Sequence, residues 1–219
     1  MDYLSCVEVN PRTEANAAVI WLHGLGSNGH DFEPIVPELR LPENLPIRFV
    51  FPHSPSIPVS INNGIVMPAW YDIFEMNLAR KVDLKQLSDS AIAVQALIDR
   101  EIERGIDSNR IIIAGFSQGG AVAYQAALTY QKPLAGLLAM STYFATKETI
   151  ELSEVNKQIQ LNIMHGSQDP VVAPKLGEDA LTSLTDLGYH PLYKQYPMAH
   201  SVCAEQVSDI STWIQDILA

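Results

Sequence analysis

Gly115-Phe116-Ser117-Gln118-Gly119 sets a serine between two glycines, where an apolar β-branched run meets an alanine-rich stretch. A serine on so tight a strand-to-helix turn takes a strained backbone and exposes its hydroxyl. The flanking glycines leave room for strand and helix to cross. The chemistry this implies is acyl transfer by a nucleophilic serine. The five-residue pattern alone arises by chance in roughly one chain in fifteen of this length at ordinary glycine usage, so its context decides. Arg110-Ile111-Ile112-Ile113-Ala114 reads as a buried strand, and Gln118 to Tyr130 reads as a helix free of proline.

A serine of this kind needs a base and a carboxylate, which follow it in the order serine, carboxylate, histidine. His200, in Pro197-Met198-Ala199-His200-Ser201, lies between the last expected strand and the last expected helix. Imidazole is the side chain whose ordinary pKa suits proton shuttling. His165 closes an apolar strand and reads as a hydrogen-bonded strand-end residue, while His190 precedes Pro191 at the opposite edge. Asp169, in His165-Gly166-Ser167-Gln168-Asp169-Pro170, falls after the penultimate strand. An aspartate before proline is also a common turn former, and chain order selects it over Asp179 and Asp186 on the following helix. Asp169 would hold His200 in one tautomer and stabilise its imidazolium. The oxyanion needs two backbone donors. One is the amide of Gln118 at the positive end of its helix, and the other is that of Leu25 in His23-Gly24-Leu25-Gly26, a turn that could equally terminate a strand.

These positions must converge on one edge of the fold. The expected strands are Leu4 to Val9, Ala18 to Leu22, Arg48 to Phe51, Arg110 to Gly115, Ala135 to Met140, Gln160 to Met164 and Leu192 to Tyr196. The expected helices are Asp31 to Leu39, Leu84 to Arg104, Gln118 to Tyr130, Lys175 to Leu187 and Val202 to Leu218. Such alternation makes an α/β fold, a mostly parallel twisted sheet with helices on both faces, and right-handed crossovers gather the loops after the strands on one edge. Pro52 to Lys81 shows no helical period and contains Pro52, Pro55, Pro58 and Pro68. A loop that long usually has a function. Trp70, within it, either roofs an apolar groove for an acyl chain or belongs to the core. Tyr143 and Val171 are further candidate walls of a substrate-binding groove.

Composition narrows the partners. The 219 residues, 47% hydrophobic and 18% charged, suit one α/β domain over 1–219. A formal net charge of −11 repels phosphate backbones and anionic lipids, so nucleic acid is not an expected partner. No apolar run is long enough for stable membrane insertion or a signal peptide, and the expected location is cytoplasmic. Cys6 and Cys203 form neither a disulfide framework nor a zinc site and read as free thiols, with no metal expected.

Over nearly its full length the sequence resembles the acyl-protein thioesterase and bacterial carboxylesterase family of small α/β-hydrolases, which includes enzymes described as lysophospholipases. The resemblance rests on His23-Gly24-Leu25-Gly26, Phe51-Pro52-His53 with Pro58-Val59, Met67-Pro68-Ala69-Trp70-Tyr71-Asp72, the Ser117 elbow with Gly120, His165-Gly166 with Asp169-Pro170, and Met198-Ala199-His200-Ser201. It implies a compact α/β-hydrolase without a large cap domain. It also implies a cofactor-free serine esterase or thioesterase with Ser117, Asp169 and His200 as catalytic triad and Leu25 and Gln118 as oxyanion donors. Small acyl esters or thioesters, acylated proteins and lysophospholipids are the implied substrates, and some members form a homodimer. A rival expectation is a non-catalytic hydrolase-fold protein that binds acylated ligands. Tyr71 stands where eukaryotic relatives carry phenylalanine, which suggests the bacterial branch.

Overall fold

Strand β2 (Ala17–Leu22) is buried at every position. Its alternate residues enter two different cores, Ala18, Ile20 and Leu22 on one side and Ala17, Val19 and Trp21 on the other. A strand apolar on both faces belongs in the middle of a sheet covered on both sides. The computed structural model, which describes residues 3–76 and 80–219, has such a sheet.

Its remaining strands are β1 (Cys6–Val9), β3 (Ile47–Pro52), β6 (Ile111–Phe116), β7 (Gly136–Met140), β8 (Gln160–Gly166) and β9 (Leu192–Tyr196). They lie in the order β1-β3-β2-β6-β7-β8-β9. Only β1 runs antiparallel, pairing Cys6 with Pro52 and Val9 with Phe49. Helices α2 (Leu84–Glu103), α3 (Gln118–Thr129) and α4 (Pro174–Asp186) share one core, and α5 (Ala204–Leu218) covers the opposite face. Among the described residues no helix is long and apolar enough to cross a membrane.

Helix α2 shows how local sequence and packing agree. Asp83 caps its first turn by accepting from the Gln86 amide at 2.9 Å. At the other end Gly105 (φ +94°) lets Gly105 N–H reach Ile102 O and Ile106 N–H reach Glu101 O, a Schellman stop. Leu87, Val94, Leu97 and Ile98 are all buried. Their burial contributes on the order of 10 kcal/mol before the entropy of ordering is subtracted.

The structure corrects several expected boundaries. The helix expected over Asp31 to Leu39 shrinks to α1 (Ile35–Glu38), because Pro34 and Pro37 remove backbone donors from so short a segment. Helix α5 starts at Ala204 rather than Val202, since Cys203 is extended. Strand β8 runs on to Gly166 because His165 and Gly166 pair with Gln195 and Tyr196. The stretch read as irregular, Pro52 to Lys81, holds a hairpin, β4 (Ser56–Val59) and β5 (Ile65–Pro68), closed by a 3-10 turn over Ser60–Asn62. Residues 77–79 of that stretch lie outside the described residues.

Candidate active site

Strand β6 delivers Ser117 to the sheet edge with φ 54° and ψ −119°, a conformation that a residue with a side chain seldom adopts. Neighbours hold it there. The Ser117 amide donates to Met140 O at 2.9 Å, and Thr142 Oγ1 donates to Ser117 O at 2.6 Å. Contacts explain the glycines around it. A Cβ on Gly115 would run into the Gly119 carbonyl, one on Gly119 would lie 2.5 Å from His23 O, and one on Gly120 would lie 2.6 Å from Thr142 Cβ.

The ends of β8 and β9 bring the other two residues to the serine. His200 Nε2 lies 3.0 Å from Ser117 Oγ, and His200 Nδ1 lies 2.7 Å from Asp169 Oδ2. The other carboxylate oxygen, Oδ1, accepts from the amides of Val171 (2.9 Å) and Val172 (2.8 Å). The Asp169 side chain is fully buried, and that of His200 is 16% exposed with its ring 4.7 Å from Phe116. Backbone bonds lock the two loops together, Ser167 N–H to Tyr196 O and Gln168 N–H to Met198 O. With Nδ1–H donating to Asp169, Nε2 is left able to accept the serine proton.

His165 lies against this group. Its Nε2–H donates to Val172 O at 2.9 Å, so it braces the loop that orients Asp169. Burial lowers its pKa and keeps the ring neutral. Nδ1 abuts Gly177 of α4, where a Cβ would come within 2.6 Å of it.

The His23–Gly26 turn faces Ser117 from the end of β2. His23 is buried, donates from Nδ1 to Gly24 O at 2.7 Å, and accepts at Nε2 from the Ser54 amide at 3.2 Å. Burial lowers its pKa as well, which suits this neutral tautomer. The amides of Leu25 and Gln118 take no acceptor among the described residues. The Gln118 side chain accepts from Trp70 N–H (2.9 Å) and donates to Tyr71 O (2.6 Å), which ties the elbow to the long excursion.

Trp70 is a correction. At 1% exposure it is no wall of a groove but a strut beneath the turn, donating from Nε1 to His23 O at 2.9 Å. Its indole needs a buried acceptor, and the turn supplies one. Tyr143 and Val171 do line the cavity at Ser117, a space of about 40 Å³ shared with Leu25, Gln118, Ile73, Met76 and Arg80. The last three escaped sequence reasoning, because nothing in an aperiodic loop marks which side chains return to the serine. The groove of about 440 Å³ beside β1 and α1 includes none of these residues.

A seven-stranded doubly covered sheet with a serine on its strand-to-helix elbow defines an α/β-hydrolase. The chain belongs to the phospholipase/carboxylesterase family, whose model matches residues 5–218, and it is a hydrolase. Acyl-protein thioesterase 1 of Neurospora crassa is 38% identical over 213 residues, covering 92% of this chain and 87% of that protein. The protein of the same description from Cryptococcus neoformans var. neoformans is 34% identical over 235 residues, 98% of each. Among solved structures, Arabidopsis thaliana SOBER1 superposes with a TM-score of 0.88 at 31% identity, covering 94% of this chain and all of that one. Zea mays acyl-protein thioesterase 2 gives 0.87 at 28% identity, with 99% of this chain and 100% of that one covered. These relatives are fungal and plant proteins and lend no weight to the bacterial branch that Tyr71 suggested.

Proposed function

We propose that Ser117, His200 and Asp169 are nucleophile, base and orienting carboxylate of a serine hydrolase that cleaves carboxylic esters and thioesters, the whole chain acting as one catalytic domain. The observation that carries this reading is the single imidazole spanning 3.0 Å to Ser117 Oγ and 2.7 Å to Asp169 Oδ2. Ser117 Oγ attacks the acyl carbon while His200 Nε2 takes its proton. The amides of Leu25 and Gln118 hold the oxyanion. The imidazolium then protonates the leaving alkoxide or thiolate, and acyl-Ser117 forms. Water, deprotonated by the same nitrogen, releases the carboxylic acid.

Acyl-protein thioesterases among the relatives support thioester substrates, and acylated proteins are the first candidates. A thiolate, with an ordinary thiol pKa of about 8.5, leaves more readily than an alkoxide. The reading puts the protein in the cytoplasm, whose reducing poise suits the free cysteines Cys6 and Cys203. A fluorophosphonate probe tests the nucleophile. It should label Ser117 in the wild type and leave Ser117→Ala unlabelled, and labelling that survives the substitution would overturn the assignment.

A further inference from the structure

The cavity at Ser117 is apolar along Leu25, Ile73, Met76 and Val171, yet it ends on Tyr143 and Arg80. Its volume of about 40 Å³ has room for roughly three water-sized groups. Tyr143 and Arg80 also line a second groove, of about 360 Å³, walled in part by Leu84, Phe144, Leu176 and Ala180. These two side chains therefore separate a small space that contains the nucleophile from a larger, partly apolar one that does not reach it.

The partition is held from several directions. The Arg80 guanidinium lies 5.0 Å over the Tyr143 ring, donates to Met76 Sδ at 3.0 Å, and donates to the Val171 carbonyl. It thus spans the cavity from one wall to the other. Tyr143 is fixed in turn, because its hydroxyl shares a 2.7 Å hydrogen bond with that of Tyr71 and both residues are buried. Burial raises both phenol pKa values, so the pair stays neutral and hydrogen-bonded. An acyl chain extended past this point would have to part Arg80 from its ring, thioether and carbonyl partners and set a guanidinium against methylenes, which is unfavourable.

We propose that Arg80, stacked on a Tyr143 that the Tyr71 hydroxyl holds in place, is the specificity-determining residue that confines this enzyme to short acyl groups. The inference rests on Ser117 being the nucleophile. It is tested by kcat/KM for the p-nitrophenyl acetate, butyrate, octanoate and dodecanoate series with wild type, Arg80→Ala, Tyr71→Phe and Ser117→Ala. Wild type should peak at acetate or butyrate. Arg80→Ala should raise the octanoate-to-acetate ratio about tenfold or more by joining the two spaces, and Tyr71→Phe about threefold by freeing the Tyr143 ring. A wild-type maximum at octanoate or dodecanoate, or an Arg80→Ala ratio within about twofold of wild type, overturns the proposal. Should Arg80→Ala not fold, Tyr71→Phe carries the test, and a ratio equal to wild type overturns it. Activity surviving in Ser117→Ala would instead defeat the nucleophile assignment, so the two failures are told apart.

Discussion

The loops at the carboxyl ends of β6 and β8 and the excursion over Pro52–Lys81 line the same cavity but are held in different ways. The strand-end loops are fixed by backbone. Gly115, Gly119 and Gly166 have no room for a Cβ, and main-chain bonds join Ser117 to β7 and Ser167 to β9. The excursion is fixed largely through side chains, by Trp70 Nε1 on His23 O, Gln118 on Trp70 and Tyr71, Gln86 on Asp72, and Arg80 over Tyr143, with main-chain bonds such as Gly26 N–H to Pro68 O beside them. The groups proposed to react are thus positioned by an element that tolerates almost no change. The space beside Ser117 is bounded by contacts that one substitution can remove.

That contrast predicts where change is severe and where it is graded. Ser117→Ala should lower kcat by about 10⁶-fold; residual turnover per mole of folded protein measures it. Asp169→Asn should lower kcat by about 10⁴-fold with the fold intact, since the amide favours the wrong tautomer of His200. Pre-steady-state acylation rates check this, and a near-normal rate would move the orienting role elsewhere. Gly119→Ala should cost about 3 kcal/mol in urea unfolding, because its Cβ meets the backbone carbonyl of His23. Trp70→Phe keeps the ring but orphans His23 O. We expect about a tenfold fall in kcat with KM nearly unchanged, and a change confined to KM would return Trp70 to the substrate wall.

The smallest effect is a pH slope. Burial lowers the pKa of His23 and His165 from the ordinary 6.5. On lowering the pH, the unfolded chain binds protons at these residues before the folded one does. Their stabilisation is therefore complete above pH 6.5 and is lost as the pH falls through the lower folded-state values. Thermal midpoints measured from about pH 7.5 down to about 5 should decline. His165→Gln, which can still donate to Val172 O but does not titrate there, should flatten the decline. An unchanged slope would show that the buried imidazole at 165 does not carry it.

The two regions were unequally legible. Strands such as Ile111–Phe116 announce themselves because every residue is apolar or small, and Ser117, Asp169 and His200 could be singled out because each follows a strand in a required order. The β4–β5 hairpin was hidden by Pro58 and Pro68, which occupy strand positions that only a short two-stranded ribbon tolerates. The role of Trp70 was undecidable from composition, since a large indole is equally at home in a core or a groove. Arg80 gave no signal, for its carbonyl partner on Val171 is 91 residues away.

The order of amino acids by itself determined a doubly covered sheet and the identities of the residues gathered at its edge. Periodicity, capping and glycine placement are local, and parallel crossovers convert chain order into position along that edge. Tertiary structure alone decided how much space adjoins Ser117 and what closes it. A cavity is what remains between elements distant in sequence, and here its extent follows from the Tyr71–Tyr143 hydroxyl bond and an arginine laid over the ring.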